Sequence, residues 1–128
     1  MDFMSGDPRV RAFRATDAFA VEAYRLSSRR DGGALSGVLE AIRRVALRSG
    51  GALVAAASGP AGGGAERRLL TRARVELSEG RYYLYLARRL GLIDARHYRG
   101  LTTRHDAALR ELDLLLERPA AGPEPVPP

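Results

Sequence analysis

Apolar positions along the chain recur three and four residues apart in four separate stretches, the period of amphipathic helices and not of strands. The first predicted helix runs from about Arg9 to Arg29, with Phe13, Asp17, Ala20, Tyr24 and Ser27 along one face. Asp31, Gly32 and Gly33 end it. The second begins near Ser36, an N-cap with Glu40 close behind, and carries Val38, Leu39, Ile42, Val45, Ala46, Ser49, Leu53 and Ala56 at helical spacing. Gly50 and Gly51 interrupt it. Each costs about 1 kcal/mol against alanine inside a helix, so the pair marks a kink, a close helix contact or an early end.

The stretch from Ser58 to Gly64 has the Gly and Pro content of a flexible surface loop. A third helix follows over about Ala65 to Leu90, where Leu70, Ala73, Leu77, Gly80, Leu84 and Ala87 alternate three and four apart as the seam of an antiparallel bundle. Val75, Tyr82, Leu86 and Arg89 add a second stripe, which suits a helix that also meets another subunit. Gly91 caps this helix and Asp94 caps the next, which extends to about Arg118 with Tyr98, Leu101, His105, Ala108, Leu112 and Leu115 on its seam. Leu109 and Leu116 widen that stripe. The pattern predicts an all-α, up-down antiparallel four-helix bundle over residues 9–118, between a flexible N-terminus (1–8) and a disordered, Pro-rich tail (119–128).

Composition agrees with helices: Ala, Leu, Arg and Glu dominate, and aromatic residues make up 6%. A chain of 128 residues builds one domain with a core that needs no metal or disulfide staple. Cysteine is absent, which removes disulfides, thiolate nucleophiles and Cys-ligated zinc and points to the cytoplasm. The segment from Met1 to Val10 has acids and Pro8 where a signal peptide needs a basic start and an apolar run, and no stretch approaches the ~20 apolar residues of a membrane span. No membrane partner is expected.

Charge changes the picture further. The formal net charge is +6, and all 21 basic residues are arginine. Guanidinium groups bind phosphate bidentately and stack on bases, so the excess points to nucleic acid or another acidic partner. A GC-rich genome accounts for arginine in place of lysine, but not for the excess. Arg67, Arg74, Arg81 and Arg88 fall every seven residues on the third helix, a stripe with steps of ~10 Å that can track a phosphate backbone without reading bases. Arg68, Arg72 and Arg89 widen it, and Arg43, Arg44 and Arg48 of the second helix extend it. The plainer reading is a solvated face with local pairs, such as Arg72 with Glu76. Tyr82, Tyr83 and Tyr85 suit packing between helices or subunits better than stacking on unpaired bases.

Catalytic chemistry has few residues to use. His97 and His105 lack companions for a metal site, and His105 falls on the fourth seam as a core or interface histidine. The glycines from Gly59 to Gly64 are followed by Ala65 and Glu66 where a phosphate-binding loop needs lysine and a hydroxyl residue. Glu76 and Glu79 lack the Glu-x-x-His pairing of di-iron bundles, and no Ser, His and Asp set has motif context. No enzyme activity, metal or cofactor is expected.

Two stretches carry a family resemblance. Ile42 to Ser49, Ile-Arg-Arg-Val-Ala-Leu-Arg-Ser, resembles the Ile-Arg-Arg-Ala-Ala segment of bacterial four-helix-bundle proteins often encoded in ribosomal RNA intervening sequences. Ala73, Leu77, Glu79, Leu84, Leu86, Ala87, Leu90, Gly91 and Ile93, followed by Tyr98, resemble that family's third helix and its turn into the fourth. Val75-Glu76-Leu77 with Arg81-Tyr82-Tyr83-Leu84 is similar to the accessory variability determinant of diversity-generating retroelements, which shares the fold. Both branches fit, and the resemblance covers about Phe13 to Arg118. It implies a bundle that assembles into a ring, typically a pentamer, without enzyme activity. In the retroelement branch it implies binding of RNA or DNA through a basic surface and partnership with a reverse transcriptase. The intervening-sequence branch implies a scaffold of no settled function. The chain has Gly50, Ala52, Ala55 and Ala56 where the intervening-sequence proteins show Pro, Asn, Glu and Gly, so any role of those residues does not carry over. Leu112 to Arg118 lacks the glycine and tryptophan that commonly end the retroelement branch's fourth helix.

Overall fold

The computed structural model describes residues 6–28 and 36–119. Among them it has four helices and no strand: α1 (Pro8–Ser28), α2 (Ser36–Ala57), α3 (Gly64–Arg89) and α4 (Ala95–Leu116). Each helix packs on two neighbours, α1 on α2 and α4, and α3 on α2 and α4, so the four stand in a square with no contact across the diagonals. Arg9, at the start of α1, reaches the Ala56 carbonyl near the end of α2 and Glu66 at the start of α3. Arg118, just beyond α4, meets the same Glu66. Neighbouring helices therefore run antiparallel, as their short connections require.

The three helices with the clearest seams bury most of the expected residues, with Val38 and Tyr98 half-buried. On α3, Leu70, Ala73, Leu77, Gly80, Leu84 and Ala87 are all buried, and on α4 so are Leu101, His105, Ala108, Leu112 and Leu115. On α2 the buried set is Leu39, Ile42, Val45, Ala46, Ser49, Leu53 and Ala56, with Ala41 and Ala52 beside them. Full burial of each such Leu or Ile contributes roughly 1.5–3 kcal/mol. Gly80 lets α2 and α3 approach: a Cβ there would stand 2.8 Å from Val45 Cγ1.

The expected face of α1 is wrong by one residue. Its buried side is Ala12, Thr16, Phe19 and Ala23, the same alternation turned by about 100°. Asp17 is exposed, while Phe13, Ala20 and Tyr24 are half-buried at the flank. Small side chains at 12, 16 and 23 let α1 lie close to its neighbours, and Phe19 fills the centre with its ring edge-on to His105 at 5.5 Å. The Gly50–Gly51 pair neither ends nor closely packs α2, which continues to Ala57 with nothing within 4 Å of an added Cβ at either position.

Local capping follows the sequence at the α3–α4 turn. The Gly91 N–H donates to the Arg88 carbonyl and the Leu92 N–H to the Ala87 carbonyl, with Gly91 at φ +74°. This is the hydrogen-bond pair that closes a helix on a left-handed residue, a conformation glycine adopts without a Cβ clash. Asp94 accepts from the His97 N–H at 2.8 Å. That bond favours the ionised carboxylate and, as the largest influence, holds the Asp94 pKa below the usual carboxylate value. The N-terminal start is one residue earlier than expected, because Asp7 accepts from the Arg9 N–H at 2.8 Å and Pro8 takes the first helical position. α2 begins at Ser36, whose side chain, like the Asp31–Gly33 stop, residues 1–5 and the tail over 120–128, lies outside the described structure.

Candidate nucleic-acid interface

The heptad stripe does not face open solvent with free charges. Seven residues along α3 match seven residues back along the antiparallel α4, so Arg74 pairs with Asp113 at 2.5 Å and Arg81 with Asp106 at 3.3 Å. Arg81 also donates to the Tyr98 hydroxyl at 3.1 Å. At the two ends of this ladder, Arg67 donates to the Leu116 carbonyl at 2.7 Å and Arg88 to the Ile93 carbonyl at 3.5 Å. Arg67, Arg74 and Arg81 thus lace α3 to α4 and Arg88 reaches the turn between them, although the side chains of Arg74 and Arg81 remain 47% and 43% exposed.

The widening residues divide into two groups. Arg43 pairs with Glu40 at 3.2 Å and covers the Tyr24 ring at 4.4 Å, and Arg89 lies over Tyr85 at 5.7 Å. Arg44, Arg68 and Arg72 are exposed and make no ion pair among the described residues. Arg48, 58% exposed, approaches Glu76 only at 3.8 Å, so Glu76 turns toward α2 and not toward Arg72 as expected. At that distance and exposure the pair contributes little. Arg96, Arg99 and Arg110 of α4 are likewise exposed and without an ion pair among the described residues, so the available cations lie on both the α2–α3 side and α4. Leu47, Val54, Val75 and Tyr82 are exposed on α2 and α3, whereas Tyr83 packs against the core.

Two grooves differ in charge. One of about 250 Å³ between α2 and α3 is lined by Arg48, Gly51, Ala52, Ala55, Leu69 and Arg72. The other, about 400 Å³, runs along α4 and is lined by Asp106, Leu109, Arg110, Asp113, Leu114 and Glu117. The larger groove has three acids and one arginine in its lining, two of the acids already paired with Arg74 and Arg81, while the smaller has two arginines and no acid. Sequence reasoning reached Arg48 and Arg72 but missed Gly51, Ala52 and Ala55. The signal was present: positions 48, 51, 52 and 55 fall on one helical face, which places an arginine beside a run of residues too small to cover their own backbone.

The histidines hold structure. His105 is fully buried, its Nε2 donating to the Leu77 carbonyl at 2.5 Å and its Nδ1 3.0 Å from Asp106 Oδ1. His97 Nδ1 lies 2.8 Å from the Asp94 carboxylate. At the opposite end of the bundle, buried Glu66 accepts from Arg118 at 2.7 Å and from the Gly62 N–H at 2.9 Å. Arg9 Nε stands 3.1 Å from Glu66 Oε2 as an ion pair without hydrogen-bond geometry, which leaves that oxygen without a donor. Among the described residues no group of three or more His, Asp or Glu side chains is placed to hold a metal ion, and no helix is long and apolar enough to cross a membrane. Comparison with protein-family models and with curated proteins returns no match.

Proposed function

We propose that the protein is a non-enzymatic, homo-oligomeric helical bundle that binds the backbone of RNA or DNA and serves a larger partner, a reverse transcriptase in the reading its resemblance to retroelement accessory proteins suggests. The observation that carries this reading is the set of exposed arginines on α2 and α3 that make no ion pair among the described residues, Arg44, Arg68 and Arg72, on a chain of net charge +6. Guanidinium groups without internal partners are free to replace the counterions of a phosphate backbone. Arg48 adds to them. The lacing of Arg67, Arg74 and Arg81 onto α4, and of Arg88 onto the turn before it, moves the weight of the proposal away from the heptad stripe. Assembly into a ring such as a pentamer is supported by the family resemblance and by exposed apolar side chains on different faces, Leu47 and Val54 on α2, Val75 on α3 and Leu114 on α4.

The test is titration of a labelled single-stranded RNA with the wild-type chain and with Arg44→Gln/Arg68→Gln/Arg72→Gln, alongside light-scattering mass. Loss of roughly three phosphate contacts lowers the affinity of the variant at low salt by tenfold or more and leaves its helicity unchanged. Equal affinity in the two proteins contradicts the reading.

The second reading is a scaffold of the intervening-sequence type that binds no nucleic acid. One observation favours it: arginines that appear in sequence as a phosphate track are engaged in holding two helices together. In that case the wild-type chain forms its oligomer and leaves RNA free at low salt.

A further inference from the structure

The α2–α3 groove carries an inference that rests on the proposed function and goes further, from a basic side of the molecule to a defined site. We infer that the groove floored by Gly51, Ala52 and Ala55 and flanked by Arg48 and Arg72 is a cleft for the phosphodiester chain of single-stranded nucleic acid.

Its construction has three features that together select such a chain. The flanking cations come from two different helices, so each can take a phosphate oxygen from its own side. Neither is consumed internally, since Arg72 makes no ion pair among the described residues and Arg48 only a 3.8 Å approach to Glu76. On the α2 side the floor has no side chain beyond Cβ, with Leu69 of α3 as the one large apolar side chain in the lining, and Gly51 has nothing within 4 Å of where a Cβ would stand, so a sugar-phosphate chain can lie against the α2 backbone. A duplex is too broad to enter between adjacent helices whose axes stand roughly 8–10 Å apart.

Gly51 separates shape from charge in the test. Labelled single-stranded RNA is titrated with the full chain and four variants: Arg48→Gln/Arg72→Gln, Gly51→Leu, Ala55→Leu, and Arg74→Gln/Arg81→Gln. Gly51→Leu and Ala55→Leu fill the groove at exposed positions without altering net charge, and the two fillings guard against the failure of either to fold. The inference expects both fillings and the Arg48/Arg72 pair to weaken binding about tenfold or more, with the pair also reducing the salt slope by about 1.4. Arg74→Gln/Arg81→Gln removes the same charge elsewhere and weakens binding less.

If the fillings bind as wild type does, or the two arginine pairs weaken binding equally, the strand is held by diffuse charge; the groove is then overturned while the proposed function stands. If wild-type protein leaves RNA free, the proposed function itself falls. A decaglutamate probe gives the remaining distinction: if it binds wild type and is lost in Gly51→Leu while RNA binding is untouched, the groove is a peptide site and the inference is overturned.

Discussion

Gly80 and Val45 show how one missing carbon sets a helix crossing. An alanine at 80 would bring its Cβ to 2.8 Å from Val45 Cγ1, inside any tolerated contact. Overpacking of this kind costs about 1–3 kcal/mol, more than the ~1 kcal/mol that alanine returns in helix propensity. Denaturant unfolding should therefore show Gly80→Ala less stable than wild type, and Val45→Ala in the same chain should recover part of the loss, so that the two changes are not additive. Asp94 gives a prediction in pH. Its folded pKa is depressed by the His97 N–H, so its contribution is present above the ordinary carboxylate value and is lost as pH falls through the lower folded value. The stability of wild type should therefore fall in the acid range below about pH 4. In Asp94→Asn, which keeps an acceptor for the same N–H, that step should be smaller. Little change between the two acid profiles would mean that the cap carries no net electrostatic weight.

At the scale of elements, periodicity located every helix to within a few residues, because a seam of large apolar groups every three or four positions has only one way to face a core. It failed in α1 for a physical reason. That helix mixes small and polar residues on adjacent faces, and spacing alone cannot say whether Phe13 or Phe19 points inward. Packing decides it, through the Phe19 ring against His105. The arginine stripe is the corresponding lesson for the site. Its period of seven was legible, but so was that of Asp106 and Asp113, and only the antiparallel placement of α4 brings the two series into register. Arg44, Arg68 and Arg72 differ from the stripe in having no such partners among the described residues, which a single helix cannot reveal. The ladder predicts its own energetics: each exposed rung is worth about 0.2–1 kcal/mol. Arg74→Gln/Arg81→Gln should therefore lower stability by roughly 0.4–2 kcal/mol, a loss that shrinks in high salt. A salt-independent loss of 4 kcal/mol or more would mean instead that these side chains serve as packing, not as charges.

At the scale of the molecule, α4 carries acids, two of which pair with α3, together with the exposed Arg96, Arg99 and Arg110. The α2–α3 side has Arg44, Arg68 and Arg72, without an ion pair among the described residues, beside exposed apolar residues and a small groove. The buried polar groups tie the bundle together: Glu66 joins the loop, α1 and the end of α4, and His105 joins α3 to α4. The central claim is that the free arginines meet a phosphate backbone. Its most direct test is the affinity of the wild-type chain for single-stranded RNA measured across salt from about 50 to 200 mM. Three or so phosphate contacts predict a log–log slope near −2, a loss of roughly 20-fold over that range. A flat response, or no binding at the low-salt end, would contradict it.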